Sequence, residues 1–232
     1  VEKVWLDNEL VVPGTKLEEG ADPMDPASYE KFWLNEYAPE LMLDEALSFL
    51  EMNKDQPFFL YFASPIPHVP LQAPEEYEEK YVKKLGDEKP YLGDRGYFPC
   101  RYPHATYAGM VDYLDFQVGA IMDKINELGL EEQTVFLFTS DNGPTFNGGS
   151  DSPYFDSGGP FKSERGWGKG TLHEGGIRVP LVVKWKGKIA PGTESERVAA
   201  FYDVLPTFAE VVGMSQPARI DGISFYQELL ES

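Results

Sequence analysis

The chain is short of cysteine, of positive charge and of long apolar runs. Cys100 is its only cysteine, so no intrachain disulfide can staple the fold, and cysteine usage marks no redox compartment. Lys and Arg number 20 against 39 Asp and Glu, a net charge of −19, which argues against a nucleic-acid surface or an anionic membrane as partner. An anionic ligand would need a locally basic pocket working against that overall field. No apolar run approaches the roughly 20 residues of a membrane-spanning helix, and no signal-peptide pattern opens the chain at Val1. Internal repeats and low-complexity linkers are missing too. What is present, 42% hydrophobic and 14% aromatic residues in 232, suits a globular α/β chain, read as a single domain over 1–232.

Three stretches read as buried strands because they are apolar without alternation: residues 57–63, 134–140 and 179–185. Helical spacing appears at 39–52, with Met42, Ala46, Phe49 and Leu50 on one face, and most clearly at 107–128, stopped by Gly129. Asp203 is expected to cap a helix over 204–212 that tolerates Pro206 in its first turn and ends at Gly213. Residues 4–12 read as a short hairpin about Asp7-Asn8, 16–27 as a surface connection, and 74–85 as an acidic, solvated helix. Strands separated by helices predict a layered α/β sheet.

The chemistry concentrates between Thr134 and Pro180. The strand at 134–140 is broken by Asp141-Asn142-Gly143-Pro144, and ligands of open parallel sheets gather at such carboxyl ends. Asp141 and Asn142 offer a carboxylate and an amide oxygen to a hard cation, Ca²⁺ or alternatively Mg²⁺. Downstream, Lys169 stands between Gly168 and Gly170, where no neighbouring side chain blocks the approach of an anion. The strand at 57–63 runs into Ser64-Pro65-Ile66-Pro67-His68-Val69-Pro70, a proline-stiffened loop that confines His68. Glu174 and Arg178 read as braces of the glycine loop, and His104 and His173 as structural or substrate-rim residues.

Thr139-Ser140-Asp141-Asn142-Gly143, followed by Gly168-Lys169-Gly170 and Glu174-Gly175-Gly176-Ile177-Arg178-Val179-Pro180, resembles the arylsulfatase family of sulfuric ester hydrolases. The resemblance covers the later part of that family's catalytic domain. It implies a three-layer α/β/α fold of the alkaline-phosphatase-like kind with a mixed, mostly parallel sheet. It further implies Asp141 and Asn142 as calcium ligands, Lys169 and His68 as catalytic residues, a sulfated small molecule or glycan as substrate, and a periplasmic, secreted or lysosomal location. A phosphatase, phosphodiesterase or phosphotransferase of the same superfamily is the alternative enzyme reading, and a non-catalytic binding fragment the alternative outside catalysis.

The family's nucleophile is a formylglycine made within Cys/Ser-x-Pro-x-Arg near the start of the domain. Cys100-Arg101-Tyr102-Pro103-His104 does not fit that pattern. Ser215-Gln216-Pro217-Ala218-Arg219 fits it minimally but lies downstream of Asp141, not upstream, and continues differently. The resemblance therefore places the formylglycine in an N-terminal region outside this chain, together with the family's paired aspartates and second lysine and histidine. One geometric expectation follows: His68, Asp141, Asn142 and Lys169 converge, with His68 and Asp141 at the same edge of one sheet.

Overall fold

A computed structural model describes residues 4–6, 9–11, 14–33, 36–216 and 218–231. Its elements are β1 (Val4–Leu6), β2 (Glu9–Val11), a 3₁₀ helix (Pro26–Phe32), α1 (Ala38–Asn53), α2 (Glu75–Leu85), α3 (Pro103–Glu127), a short 3₁₀ turn (Glu131–Gln133), β3 (Phe136–Thr139), α4 (Glu174–Ile177), β4 (Leu181–Lys184), α5 (Phe201–Val211) and α6 (Tyr226–Glu231). β1 and β2 pair antiparallel, Val4 opposite Val11, as the hairpin reading expects; the turn residues Asp7 and Asn8, and Val12, lie outside the described residues. The chain divides into two compact units, Val1–Leu128 with Thr139–Pro180, and Gly129–Phe138 with Leu181–Ser232.

The first unit is organised on α3. Pro103 opens it, four residues before the periodic pattern begins, because a proline in the first turn leaves no bond unmade. Glu88 caps that end, its two carboxylate oxygens accepting from the backbone N–H groups of His104 (2.7 Å) and Ala105 (2.9 Å). Met110, Tyr113, Ile121 and Ile125 point into the core. Gln117 is fully buried yet satisfied: its amide donates to the Pro39 carbonyl of α1 (2.7 Å), and its oxygen accepts from Ser64 Oγ (2.9 Å). One buried amide thus ties α1 and the base of the His68 loop to α3.

α2 is more than the solvated acidic helix the sequence suggests. Tyr77 meets Tyr113 edge-on at 5.1 Å, and Glu78 turns inward to accept from Thr106 Oγ1 at 2.6 Å. Burial pushes the Glu78 carboxyl up from its ordinary value, with the Thr106 hydrogen bond and the Arg101 charge opposing. A carboxyl raised in the folded state favours folding below its unfolded value, and that favour is lost as pH rises through the folded value. Glu78→Gln keeps an acceptor for Thr106 without a buried charge. Its melting temperature should therefore exceed the parent's by on the order of 2 °C at pH 7.5 and by less at pH 4.5, a difference scanning calorimetry resolves.

All three buried-strand expectations need correction. Residues 57–63 enter no β-ladder among the described residues. Phe58, Leu60 and Phe62 are half-buried, Phe58 edge-on to Phe49 of α1 at 5.9 Å, while Phe59 is 71% and Tyr61 80% exposed. A layer lies on one face only, so the unbroken apolar run does not mean burial on both. The strand expected at 179–185 is β4, paired with β3, and it is not buried either: Leu181 is 43% and Val182 58% exposed. β3 itself is half-buried along its length.

In the second unit, α5 begins at Phe201, earlier than expected, because Asp203 acts from inside the first turn. Its Oδ2 accepts from the Ala200 N–H (2.9 Å) and its Oδ1 from the Ile223 N–H (2.8 Å). Pro206 is accommodated, and Gly213 takes φ 71° past the helix end. No helix among the described residues is long and apolar enough to cross a membrane.

Candidate active site

After Thr139 the chain leaves its ladder and is fixed at once. Thr139 Oγ1 donates to the Pro180 carbonyl at 2.8 Å, and Ser140 Oγ to the Asn142 carbonyl at 3.1 Å. Two backbone bonds then knot the Asp141-Asn142 turn to the lysine loop. The Gly143 N–H donates to the Gly176 carbonyl and the Lys169 N–H to the Pro144 carbonyl, each at 2.9 Å. The knot is so tight that a Cβ on Gly143 would stand 1.9 Å from the Gly175 oxygen, one on Gly168 2.6 Å from the Pro144 oxygen, and one on Gly175 1.7 Å from the Lys162 oxygen. These glycines serve close approach, not unusual dihedrals; only Gly170, at φ 86°, supplies a left-handed pivot beside Lys169.

Glu174 and Arg178, expected to brace the glycine loop, pair with each other instead, Arg178 Nη1 meeting Glu174 Oε2 at 3.1 Å in an exposed contact. The Arg178 guanidinium also lies over the Phe161 ring at 4.9 Å. Lys169 is half-buried and meets no carboxylate among the described residues.

His68 sits exposed in its loop, with the Ile66–Pro67 and Val69–Pro70 peptide bonds cis on either side. Its backbone N–H donates to the Pro65 carbonyl (3.0 Å) and its Nδ1 to the Val69 carbonyl (2.6 Å). That bond places the proton on Nδ1 and leaves Nε2 as the nitrogen that takes up or hands over a proton. The ring is edge-on to Tyr97 at 5.9 Å. Val69, buried beside it, touches the turn that follows the acidic loop: a Cβ on Gly148 would lie 2.7 Å from Val69 Cγ1.

Asp141, Asn142 and Lys169 thus share one loop system, and His68 adjoins it one residue removed, through Val69. The expected sheet edge common to His68 and Asp141 does not form, because 57–63 is in no ladder. As a cation site, Asp141 and Asn142 fit in kind but not in number. They offer two hard oxygens where Ca²⁺ takes six to eight, and no group of three or more His, Cys, Asp or Glu suited to a metal occurs among the described residues.

The remaining candidates separate cleanly. Cys100 is buried and its thiol is pushed up to about 12, mainly by desolvation, so it is no thiolate nucleophile at neutral pH. His104 lies between Glu88 (3.4 Å) and Asp151 (3.3 Å) and is stacked on Tyr154 at 4.0 Å. Ser215 and Arg219 are exposed in the second unit, and Pro217 lies outside the described residues. Sequence reasoning missed the structural parts played by Gln117, Thr139 and Pro180. For the glycine knot, the signal was there in the density of glycine from Gly143 to Gly176.

A strand ending in an acidic turn, with a glycine-knotted basic loop bound to it, belongs on an α/β scaffold of the alkaline-phosphatase-like class. Solved structures agree: Ps i-CgsB in complex with k-i-k-neocarrahexaose superposes with a TM-score of 0.69 at 27% identity, covering 85% of this chain and 39% of that one. A sulfatase family model matches residues 5–214, and the chain belongs to the sulfatase family. It is 34% identical over 195 residues to human arylsulfatase A, covering 84% of this chain and 32% of the relative. To the N-acetylgalactosamine-6-O-sulfatase of Bacteroides thetaiotaomicron it is 29% identical over 204 residues, 86% of this chain and 35% of the relative. The chain thus spans about a third of the length of the curated relatives it matches.

Proposed function

We propose that a polypeptide carrying this segment, together with the upstream part that the family resemblance implies, hydrolyses sulfate esters of an aromatic or sugar alcohol. The observation that carries this reading is the backbone knot that holds the Asp141-Asn142 turn against the Lys169 loop. Asp141 and Asn142 would be two of the ligands of a Ca²⁺ ion, which when bound neutralises charge on the sulfuryl group. The upstream formylglycine that the resemblance implies would supply the attacking oxygen. Lys169, with no counter-ion among the described residues, binds a sulfate oxygen. As the bond from sulfur to the leaving oxygen breaks, negative charge grows on that oxygen; His68, its Nδ1–H held by the Val69 carbonyl, would enter the step carrying a second proton on Nε2, give that proton to the leaving oxygen and end as the neutral ring.

Two measurements test this. The 232-residue chain alone should bind Ca²⁺ no tighter than about millimolar, the weak end of protein calcium sites, and should turn over no aryl sulfate. A micromolar calorimetric affinity abolished by Asp141→Ala would mean that the site is complete within this chain. The longer polypeptide should hydrolyse 4-nitrophenyl sulfate, and hydrolysis of the phosphate ester alone would move the assignment to phosphoryl transfer.

A further inference from the structure

The loop that presents Lys169 carries more positive charge than its part in sulfate binding requires. Between Phe161 and Arg178 stand Lys162, Arg165, Lys169 and Arg178 against only Glu164 and Glu174, in a chain whose acidic residues outnumber its basic ones about two to one. Glu174 is spent on Arg178. Lys162 and Arg165 are exposed, and neither pairs with a carboxylate among the described residues.

Lys162 is nevertheless held. Its ammonium lies 4.4 Å from the centroid of the Trp167 ring, and His173 packs on the same indole with ring centroids 4.4 Å apart. The manner of holding matters. A carboxylate partner would cancel the charge, whereas the face of an indole steadies an ammonium and leaves its net charge available. The backbone puts this cation in the knot already described: the Lys162 carbonyl abuts Gly175, the Ser163 carbonyl abuts Gly168, and Gly168 leads directly into Lys169. The Trp167 and Gly168 N–H groups both bond the Glu164 carbonyl, at 2.9 and 3.2 Å, so Lys162 and Lys169 leave opposite ends of one closed turn.

We propose that Lys162, steadied on Trp167, is a second anion contact on the loop that carries Lys169, and that the ligand of this loop is a sugar bearing at least two anionic groups. The net charge of −19 would repel such a ligand elsewhere, so the basic turn selects where it lands. A singly charged aryl sulfate would use Lys169 alone. The assignment of Lys169 to the reacting sulfate rests on the sulfate-ester reading; the second contact rests on the loop itself.

Titration of the ¹⁵N-labelled chain with sucrose octasulfate, with sucrose as control, tests the loop without any turnover. The Trp167 indole N–H signal should move with the octasulfate and not with sucrose. Lys162→Ala, which removes an exposed side chain, should weaken the affinity about five- to tenfold, the loss of one charge-assisted contact. An unmoved indole signal, or unchanged affinity in Lys162→Ala, overturns the proposal. In the longer polypeptide the same variant should raise KM for a multiply sulfated oligosaccharide about as much, leaving turnover of 4-nitrophenyl sulfate untouched. Equal effects on both substrates would likewise overturn it. Failure of the unaltered longer polypeptide to hydrolyse either substrate refutes the sulfate-ester reading, while the titration still decides the loop.

Discussion

Gly175→Ala should pull the lysine loop off the acidic turn. The added methyl would meet the Lys162 carbonyl oxygen at 1.7 Å and the Trp167 carbonyl oxygen at 3.0 Å, and both are backbone atoms with no rotamer to retreat into. Either 162–168 moves outward or α4 moves away, and each displacement stretches the bonds from Gly143 to Gly176 and from Lys169 to Pro144. Overpacking of this severity costs about 3 kcal/mol, which in a chain of this size lowers the melting temperature by roughly 6–12 °C. Local opening is the more specific sign: the Gly143 and Lys169 amides should lose protection from hydrogen exchange while those of α3 keep theirs. Gly119→Ala is the control, since a Cβ there meets nothing within 4 Å inside α3, and alanine should gain about 0.5–1 kcal/mol over glycine in a helix interior. A Gly175→Ala protein with native stability and protected loop amides would show that the two loops are not locked together at Gly175.

That knot also marks how far the sequence could be read. The helices at 39–52 and 107–128 were legible because periodicity at three and four residues reports one buried face, and one buried face is what each has. The close approach of the two loops between Thr139 and Pro180 was legible in outline because glycines mark where backbone must meet backbone, as Gly143, Gly168 and Gly175 do. The strands were harder. An unbroken apolar run such as 57–63 specifies a segment suited to two buried faces, but not the layers that would cover them, and here Tyr61 faces outward. Asp203 shows a subtler limit. Aspartate caps well from outside a helix or from its first turn, and only the Ile223 N–H, 20 residues away, settles which. The charge run of α2 hid Glu78, because a buried carboxylate differs from a solvated one through the Thr106 hydroxyl that meets it, and no local pattern announces that contact. The two-unit division was hidden for a similar reason: it cuts the chain at Leu128, Phe138 and Pro180, where composition does not change.

Lys169→Ala, placed in the longer polypeptide, should lower kcat for an aryl sulfate by about 10²–10³, the usual loss when one positioned donor to a developing negative charge is removed. The structure says why this should be a loss of activity without a loss of fold. The residue's structural bond runs from its backbone N–H to the Pro144 carbonyl, and alanine makes it equally well. Its side chain has no ion pair among the described residues to forfeit, and Gly170 still supplies the pivot at φ 86°. Melting temperature and loop-amide protection should therefore match the parent. The partition between parameters identifies the step: a fall shared equally by kcat and kcat/KM means a contact made as charge develops, whereas a rise in KM alone means simple docking of the sulfate. Lys169→Arg should recover little, because a planar guanidinium presents its donors as a fork where a point charge on a glycine-flanked stem is needed. Parallel losses of stability and activity in Lys169→Ala would make the lysine a structural element of the knot and remove it from the reaction.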